Sequence, residues 1–136
     1  MNVTTERKLV TVLFCDLVGS TALGERLDAE AVQSVQQAFF DRMRAAVEQF
    51  GGTVEKFAGD AVLAVFGVPF LHEDDAERAV RCALEMRQSL LGLCDTLRPR
   101  FGIDLSLRIG VQTGEAAVSG DADALATGDV MNTAAR

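Results

Sequence analysis

A run of β-forming residues near the N-terminus, residues 9–15, constrains the fold more than any other feature of this sequence. Its alternation places Val10, Val12 and Phe14 on one face, and the same alternation continues to Asp16. This pattern predicts a buried strand that ends in a carboxylate.

The residues just beyond Asp16 predict a tight turn and a short helix. Gly19 supplies flexibility, and Ser20 and Thr21 are hydroxyl caps for a helix through Leu27. Backbone amides should therefore gather close to the carboxylate.

A longer helix is predicted from about Asp28, and Gly51 and Gly52 should end it. Its apolar residues recur at steps of three and four: Val32, Val35, Phe39, Met43, Val47 and Phe50. After it, residues 53–57 and 61–66 predict a β-hairpin with Gly59 in the turn and Asp60 at or just past its tip.

The second half predicts one more helix and a second hairpin. The helix should begin among Glu73, Asp74 and Asp75, acids that suit the positive end of its dipole, and Pro99 should lie in the loop after it. Its predicted apolar face consists of Ala76, Val80, Ala83, Leu84, Arg87 and Leu91. Strands at 103–111 and 115–118 are predicted around a turn at 112–114, and Asp129 should cap a last helix from Val130.

This order of elements is typical of the split βαβ, ferredoxin-like class of α+β folds, an antiparallel-rich sheet flanked by helices. With 136 residues, 49% of them apolar, the chain suffices for one domain spanning residues 1–136. The last predicted helix has hardly two turns before Arg136, so we expect the domain to be cut short and to lack C-terminal strands.

Charge and cysteine content exclude several classes of protein. A net charge of −7 repels nucleic-acid polymers, so none is expected as a partner. Cys15, Cys82 and Cys94 show no CxxC spacing and fit reduced thiols in the cytoplasm, with Cys15 expected in the core. No apolar run in this chain is long enough to span a membrane, and no Walker-type or GxGxxG motif is present.

Asp16 and Asp60 are candidate metal ligands. One ends a buried strand and the other lies in a hairpin turn, so they could converge if those strands are neighbours in the sheet. Hard oxygen ligands suit Mg²⁺ or Mn²⁺. The alternative, which residue types and spacing leave open, is that Asp16 caps a helix and Asp60 is an ordinary turn residue.

Several segments resemble the class III adenylate and guanylate cyclases of bacterial type. They occur in that family's order and spacing: VTVLFCDLVGST (10–21), VEKFAGDAVLAVF (54–66), HEDDAERAVRCAL (72–84), LRIGVQTGE (107–115) and GDVMNTAAR (128–136).

The resemblance implies an adenylate cyclase, which forms 3',5'-cyclic AMP and pyrophosphate from ATP. It implies that Asp16, Asp60 and the backbone carbonyl of Leu17 bind two Mg²⁺ or Mn²⁺ ions, one activating the ribose 3′-hydroxyl and one gripping the triphosphate. The residues that it implies for substrate binding are Gly19, Ser20 and Thr21 through their amides, Arg108 at the triphosphate and Lys56 at adenine.

The resemblance further implies that Asn132 orients the ribose and that Arg136 stabilises charge on the α-phosphate. In this family these two residues and the base-reading lysine serve the partner's site. A head-to-tail, two-fold homodimer with two equivalent sites is therefore expected. A fused regulatory or effector domain is compatible with this assembly.

The second base-reading position departs from the family pattern, because Leu125 stands where Asp or Thr is usual. Leu125 can pack on a base but cannot accept a hydrogen bond from it, so Thr127 or Asp123 replaces it, or Lys56 and backbone groups select the base. This departure keeps open a second hypothesis, a weak or inactive regulatory module that binds nucleotide or dimerises. A diguanylate cyclase is disfavoured, because AGDAV lacks a GGDEF-like signature.

Overall fold

The computed structural model describes residues 5–58, 61–68 and 70–119. In chain order, its elements are β1 (Thr5–Val18), α1 (Ser20–Arg26), α2 (Ala29–Gln49), β2 (Thr53–Ala58), β3 (Ala61–Phe66), α3 (Asp75–Phe101) and β4 (Ser106–Ser119). The sheet order is β2-β3-β1-β4, and every neighbouring pair is antiparallel. This is the ferredoxin-like, split βαβ arrangement that the sequence predicts.

Strand β1 lies in the middle of the sheet and separates two apolar clusters. Its residues Leu13 and Cys15 pack in the main core with α2 and α3, whereas Val10 and Val12 belong to a second cluster on the opposite face. Cys15 is fully buried, as predicted. Because side chains alternate along a strand, the position of Asp16 falls on the face away from α2 and α3.

Helix α2 confirms its predicted start and apolar stripe. The Asp28 carboxylate accepts a hydrogen bond from the Ala31 N–H at 2.8 Å and so caps the helix. The buried side chains of the helix are Val35, Phe39, Met43, Ala46 and Val47. Gly52 follows the helix where a Cβ would lie 2.7 Å from the Phe66 ring, so only glycine fits there.

The predicted apolar face of α3 is wrong. Val80, Leu84 and Leu91 are 50%, 54% and 60% exposed. The buried apolar residues are instead Ala79, Cys82, Met86, Leu90, Leu93, Cys94 and Leu97. The two stripes lie roughly a third of a turn apart on a helix of 3.6 residues per turn, and both have helical periodicity. Packing against the sheet selects between the two stripes, and the periodicity of the sequence carries no information about that packing.

Pro99 also differs from its prediction, since it lies inside α3 rather than in the loop after it. A proline removes one N–H donor and so interrupts one backbone bond of a helix. The helical pattern resumes beyond it, where the Gly102 N–H donates to the Arg98 carbonyl at 2.8 Å.

The predicted second hairpin is wrong as well, because β4 is one continuous strand. Residues 112–114, the expected turn, pair with residues 10–12 of β1, and the Thr11 and Thr113 hydroxyl oxygens lie 2.8 Å apart. Strand β1 is long enough to pair with the whole of β4, so Gly114 stays within the ladder, opposite Val10. The predicted helix from Val130 lies outside the described residues. Among the described helices, none has the length and apolarity that crossing a bilayer requires.

Candidate functional site

An ion pair joins Asp16 at the end of β1 to Arg108 near the start of β4. The two residues are directly opposite each other in the β1–β4 ladder, and Arg108 Nη2 lies 3.0 Å from Asp16 Oδ2. The Asp16 side chain is 23% exposed and that of Arg108 is 61% exposed. The sequence predicts both as site residues but carries no signal of their contact, which depends on the register of strands far apart in the chain.

The strand that follows Asp60 lies on the other side of Asp16. Asp60 itself is outside the described residues, but its covalent neighbour Ala61 is the register partner of Asp16. Strands β1 and β3 are thus neighbours, the arrangement that convergence of the two acids requires.

The donor chemistry at the end of β1 is that of hard oxygen ligands. Asp16 offers a partly exposed carboxylate. Leu17 is 2% exposed and packs in the main core, so only its backbone could contact a metal. Cys15 is not a competing ligand, because burial, with smaller contributions from Cys82 and Asp16, raises the pKa of its thiol to about 12.

These donors fit Mg²⁺ or Mn²⁺, which prefer oxygen over sulfur. Within the described parts of the chain, no group of three or more His, Cys, Asp or Glu side chains could hold a metal by itself. A complete coordination shell here would therefore need Asp60 together with oxygens from the backbone, from water or from a phosphate substrate.

The turn after β1 is built on Gly19. This residue has φ +85° and is the N-cap of α1, and no side chain caps the helix. Ser20 and Thr21 lie in the first turn of the helix, so the N-cap position belongs to Gly19 rather than to either of them. The left-handed conformation is one that glycine adopts without strain, and it directs the chain from β1 into α1 just beyond Asp16.

A β-bulge at Glu55 determines the face on which Lys56 lies. Val54 pairs with Ala64 and Lys56 pairs with Leu63, so Glu55 is an extra residue on β2. Leu63 pairs with Phe14, two residues before Asp16. The position of Lys56 is therefore on the same sheet face as that of Asp16.

The bulge is a feature that the sequence analysis missed. Burial raises the pKa of Glu55, which reflects a carboxyl group partly withdrawn from water. A charged residue inside a short β-rich run was the only available signal, and it is a weak one. The remaining predicted site residues, Leu125, Asn132 and Arg136, lie outside the described residues.

Comparison with known proteins identifies the family. The adenylate and guanylate cyclase catalytic domain family matches residues 3–136. Adenylate cyclase 1 of Rhizobium meliloti (strain 1021) is 32% identical over 135 residues, which are 96% of this chain and 20% of that protein. The chain thus spans about a fifth of this relative's length.

Solved structures give the same result. The adenylyl cyclase CyaB from P. aeruginosa superposes with a TM-score of 0.91 at 34% identity, covering 98% of this chain and 72% of that one. The guanylyl cyclase Cya2 superposes with a TM-score of 0.88 at 34% identity, covering 96% of this chain and 69% of that one. With its sheet order, its paired β1 and β3 and a match over nearly its whole length, this chain belongs to the adenylate and guanylate cyclase catalytic domain family.

Proposed function

We propose that this chain is the catalytic domain of an adenylate cyclase that converts ATP to 3',5'-cyclic AMP and pyrophosphate. One observation carries the proposal: Asp16 lies between Arg108 on β4 and Ala61 on β3, the residue that follows Asp60. A carboxylate pair with an adjacent guanidinium suits a metal-bound triphosphate.

The chain's own residues divide the work by their chemistry. Asp16, Asp60 and the Leu17 carbonyl would hold two divalent ions, which when bound supply charge neutralisation and a more acidic 3′-hydroxyl. Arg108 is more exposed than Asp16, so its guanidinium can turn to the triphosphate when a cation takes over the carboxylate. The amides of Gly19, Ser20 and Thr21 are available to phosphate oxygens.

Adenine is the proposed base, although the similar proteins include both adenylyl and guanylyl cyclases. The bulge at Glu55 places the position of Lys56 on the sheet face of Asp16, which supports a role in reading the base. Leu125 would contribute packing rather than a hydrogen bond.

The proposed assembly is a head-to-tail homodimer in which each chain serves both sites. Asp16 and Asp60 would bind metal in one site, while Lys56, Asn132 and Arg136 of the same chain complete the other. Three free, buried cysteines fit a reducing compartment, so we place the reaction in the cytoplasm.

The direct test is product formation from ATP and from GTP by the full-length protein with Mn²⁺, followed by mass spectrometry. We expect cyclic AMP from the wild type and a loss of at least about 100-fold in Asp16→Asn, which keeps the shape of the side chain but removes the charge that stabilises the metals. Asp41→Asn is the matched control, because Asp41 is an exposed acid on α2 whose carboxylate accepts a hydrogen bond from the Gln37 side chain. Cyclic GMP as the sole product would overturn the choice of base.

Leu125 favours one alternative, a regulatory module that binds nucleotide without turning it over. Binding of a fluorescent ATP analogue with Mn²⁺, together with no product in the same assay, would support this alternative and overturn the catalytic proposal.

A further inference from the structure

The β2–β3 hairpin carries the position of Lys56, and Asp60 lies between its two strands in the sequence. The two ends of the hairpin lie against Arg78 and Asp75 of α3. The chain enters β2 from the end of α2 through Phe50, Gly51 and Gly52. It leaves β3 through Gly67. Both connections contact the first turns of α3, which the proposed chemistry does not use.

Arg78 holds the entry to the hairpin. Its Nη1 donates to the Phe50 carbonyl at 2.8 Å, and its Nη2 donates to Asp75 Oδ1 at 2.5 Å. Its Nε donates to Asp74 Oδ1 at 3.1 Å. The guanidinium thus bridges the C-terminal end of α2 and the N-terminal end of α3, where a cation and an anion respectively suit the helix dipoles.

Asp75 holds the exit from the hairpin. It is one of the two buried polar or charged residues in the described core, at 5% exposure. Its Oδ2 accepts from the His72 N–H at 2.9 Å and lies 3.1 Å from the position that a Cβ on Gly67 would occupy. The His72 ring contributes a longer contact, 3.6 Å from Nδ1 to Asp75 Oδ1.

Two glycines make these close approaches possible. Gly51 has φ +76°, and a Cβ there would collide with the Arg78 guanidinium. Gly67 has φ +112°, and a Cβ there would also press against the Leu9 carbonyl oxygen at 3.2 Å. A further bond closes the base of the hairpin, from the Thr53 hydroxyl to the Val68 carbonyl at 3.4 Å.

We propose that Asp75 and Arg78 form a clamp that positions the β2–β3 hairpin beside β1, the strand that carries Asp16. Strand β2 lies at the edge of the described sheet and pairs only with β3, so contacts at the base of the hairpin add a restraint that no second partner strand supplies. The effect on catalysis rests on the proposed function. The clamp itself does not.

The first test measures the hairpin without any activity, by amide hydrogen exchange of the full chain with Arg78→Lys. Lysine keeps the positive charge beside buried Asp75 but lacks the fork that reaches Asp75 and Phe50 together. We expect exchange at residues 53–58 and 61–66 to accelerate about tenfold, while residues 106–116 of β4, which pair with β1 on the side away from the hairpin, stay as in the wild type.

The matched control is Arg81→Lys, one turn further along α3. Arg81 forms an exposed pair at 2.9 Å with Glu77, a residue of the same helix. This control should leave exchange unchanged. Hairpin exchange equal to that of the wild type in Arg78→Lys would overturn the clamp, and so would equal acceleration in every strand.

The second test separates positioning from general stability in an active full-length protein. A displaced hairpin would displace Asp60, the proposed metal ligand between its strands, and weaken metal binding. We therefore expect the Mn²⁺ concentration for half-maximal rate to rise about fivefold to tenfold in Arg78→Lys, with kcat at saturating Mn²⁺ within about twofold of the wild type. A fall in kcat with an unchanged Mn²⁺ dependence would overturn the positioning role. If the wild type forms no product, the proposed function fails and the exchange experiment still decides the clamp.

Discussion

Arg108 and Asp16 form an exposed ion pair, and the role that we propose for it is in binding rather than in stability. The pair is 3.0 Å long, but the Arg108 side chain is 61% exposed, so solvent screens most of the attraction. A bound triphosphate would offer the same guanidinium several anionic oxygens at once.

Replacing Arg108 should therefore separate the two effects. For Arg108→Gln we expect the free energy of unfolding to change by less than about 1 kcal/mol, because the pair is exposed. The KM for the nucleotide should rise roughly tenfold or more, since a charge-assisted contact to phosphate is lost. Urea unfolding and steady-state kinetics measure the two quantities.

Arg7→Gln is the control for this experiment. Arg7 faces Glu115 across the same two strands at 4.0 Å, at the other end of the ladder. Arg7→Gln should leave the free energy of unfolding and the KM unchanged, and a rise in KM equal to that of Arg108→Gln would contradict a role for Arg108 in binding.

The buried thiols of Cys15 and Cys82 make the stability of the fold depend on pH in the alkaline range. Burial, with a smaller contribution from Glu85, raises the pKa of Cys82 to about 12, and the pKa of Cys15 is raised to the same value from an ordinary 9.0. Below pH 9 both thiols are protonated in the folded and the unfolded chain, so their contribution to stability is fully present. Between pH 9 and pH 12 only the unfolded chain ionises, and this contribution is lost as the pH rises.

We expect the free energy of unfolding to fall above pH 9 by up to about 1.4 kcal/mol per pH unit for each thiol. Cys82→Ala should have a shallower slope than the wild type, because one of the two groups is gone. Urea unfolding between pH 8 and pH 10.5 measures both slopes. Parallel slopes for the two proteins would contradict this assignment.

Among the individual elements, helix α2 combines an N-cap that the sequence predicts with a face that packs in the main core. Its N-cap lies in the sequence directly before its apolar stripe, and both are present in the structure. Its inner face carries the fully buried side chains Val35, Phe39 and Met43. Loss of the cap should therefore be felt in the stability of the whole domain.

Asp28→Ala removes the acceptor of the Ala31 N–H, and we expect it to lower the free energy of unfolding by about 1 kcal/mol. Asp41→Ala removes a hydrogen bond between two side chains on the exposed face, from the Gln37 amide at 2.9 Å, and should cost less than about 0.5 kcal/mol. Chemical denaturation of the two variants compares them directly. A larger loss of unfolding free energy in Asp41→Ala than in Asp28→Ala would contradict the stabilising role of the cap.

At the scale of the whole molecule, the proposed site is shared between two chains. Metal-binding and transition-state residues then belong to different sites, although both are present in every chain. A defect in one set can be compensated by a partner that is defective only in the other.

Asp16→Ala and Asn132→Ala should each be inactive alone, and co-expression should restore about a quarter of wild-type activity. Random pairing makes about half of the dimers mixed, each with one intact site of two. Asp16→Ala co-expressed with Asp60→Ala is the control and should restore nothing, because both changes damage the same half. Recovery in the control, or none in the test pair, would count against a shared site.

Features that depend on short-range order were predictable from local sequence patterns. The period of two along β1 separates buried Cys15 from the face of Asp16, and the period of 3.6 with a cap defines α2. The β2–β3 hairpin follows from two β-rich runs around a glycine. Each of these depends on residues a few positions apart, which is why pattern and propensity were sufficient.

Features that depend on which distant segments meet became clear only from the folded chain. Contact with the sheet selects one of two helical stripes on α3, and a partner strand of equal length keeps β4 straight through residues 112–114. The Asp16–Arg108 pair and the Arg78–Phe50 bond join residues far apart in the chain. No local pattern contains the strand register or the helix orientation that brings such residues together.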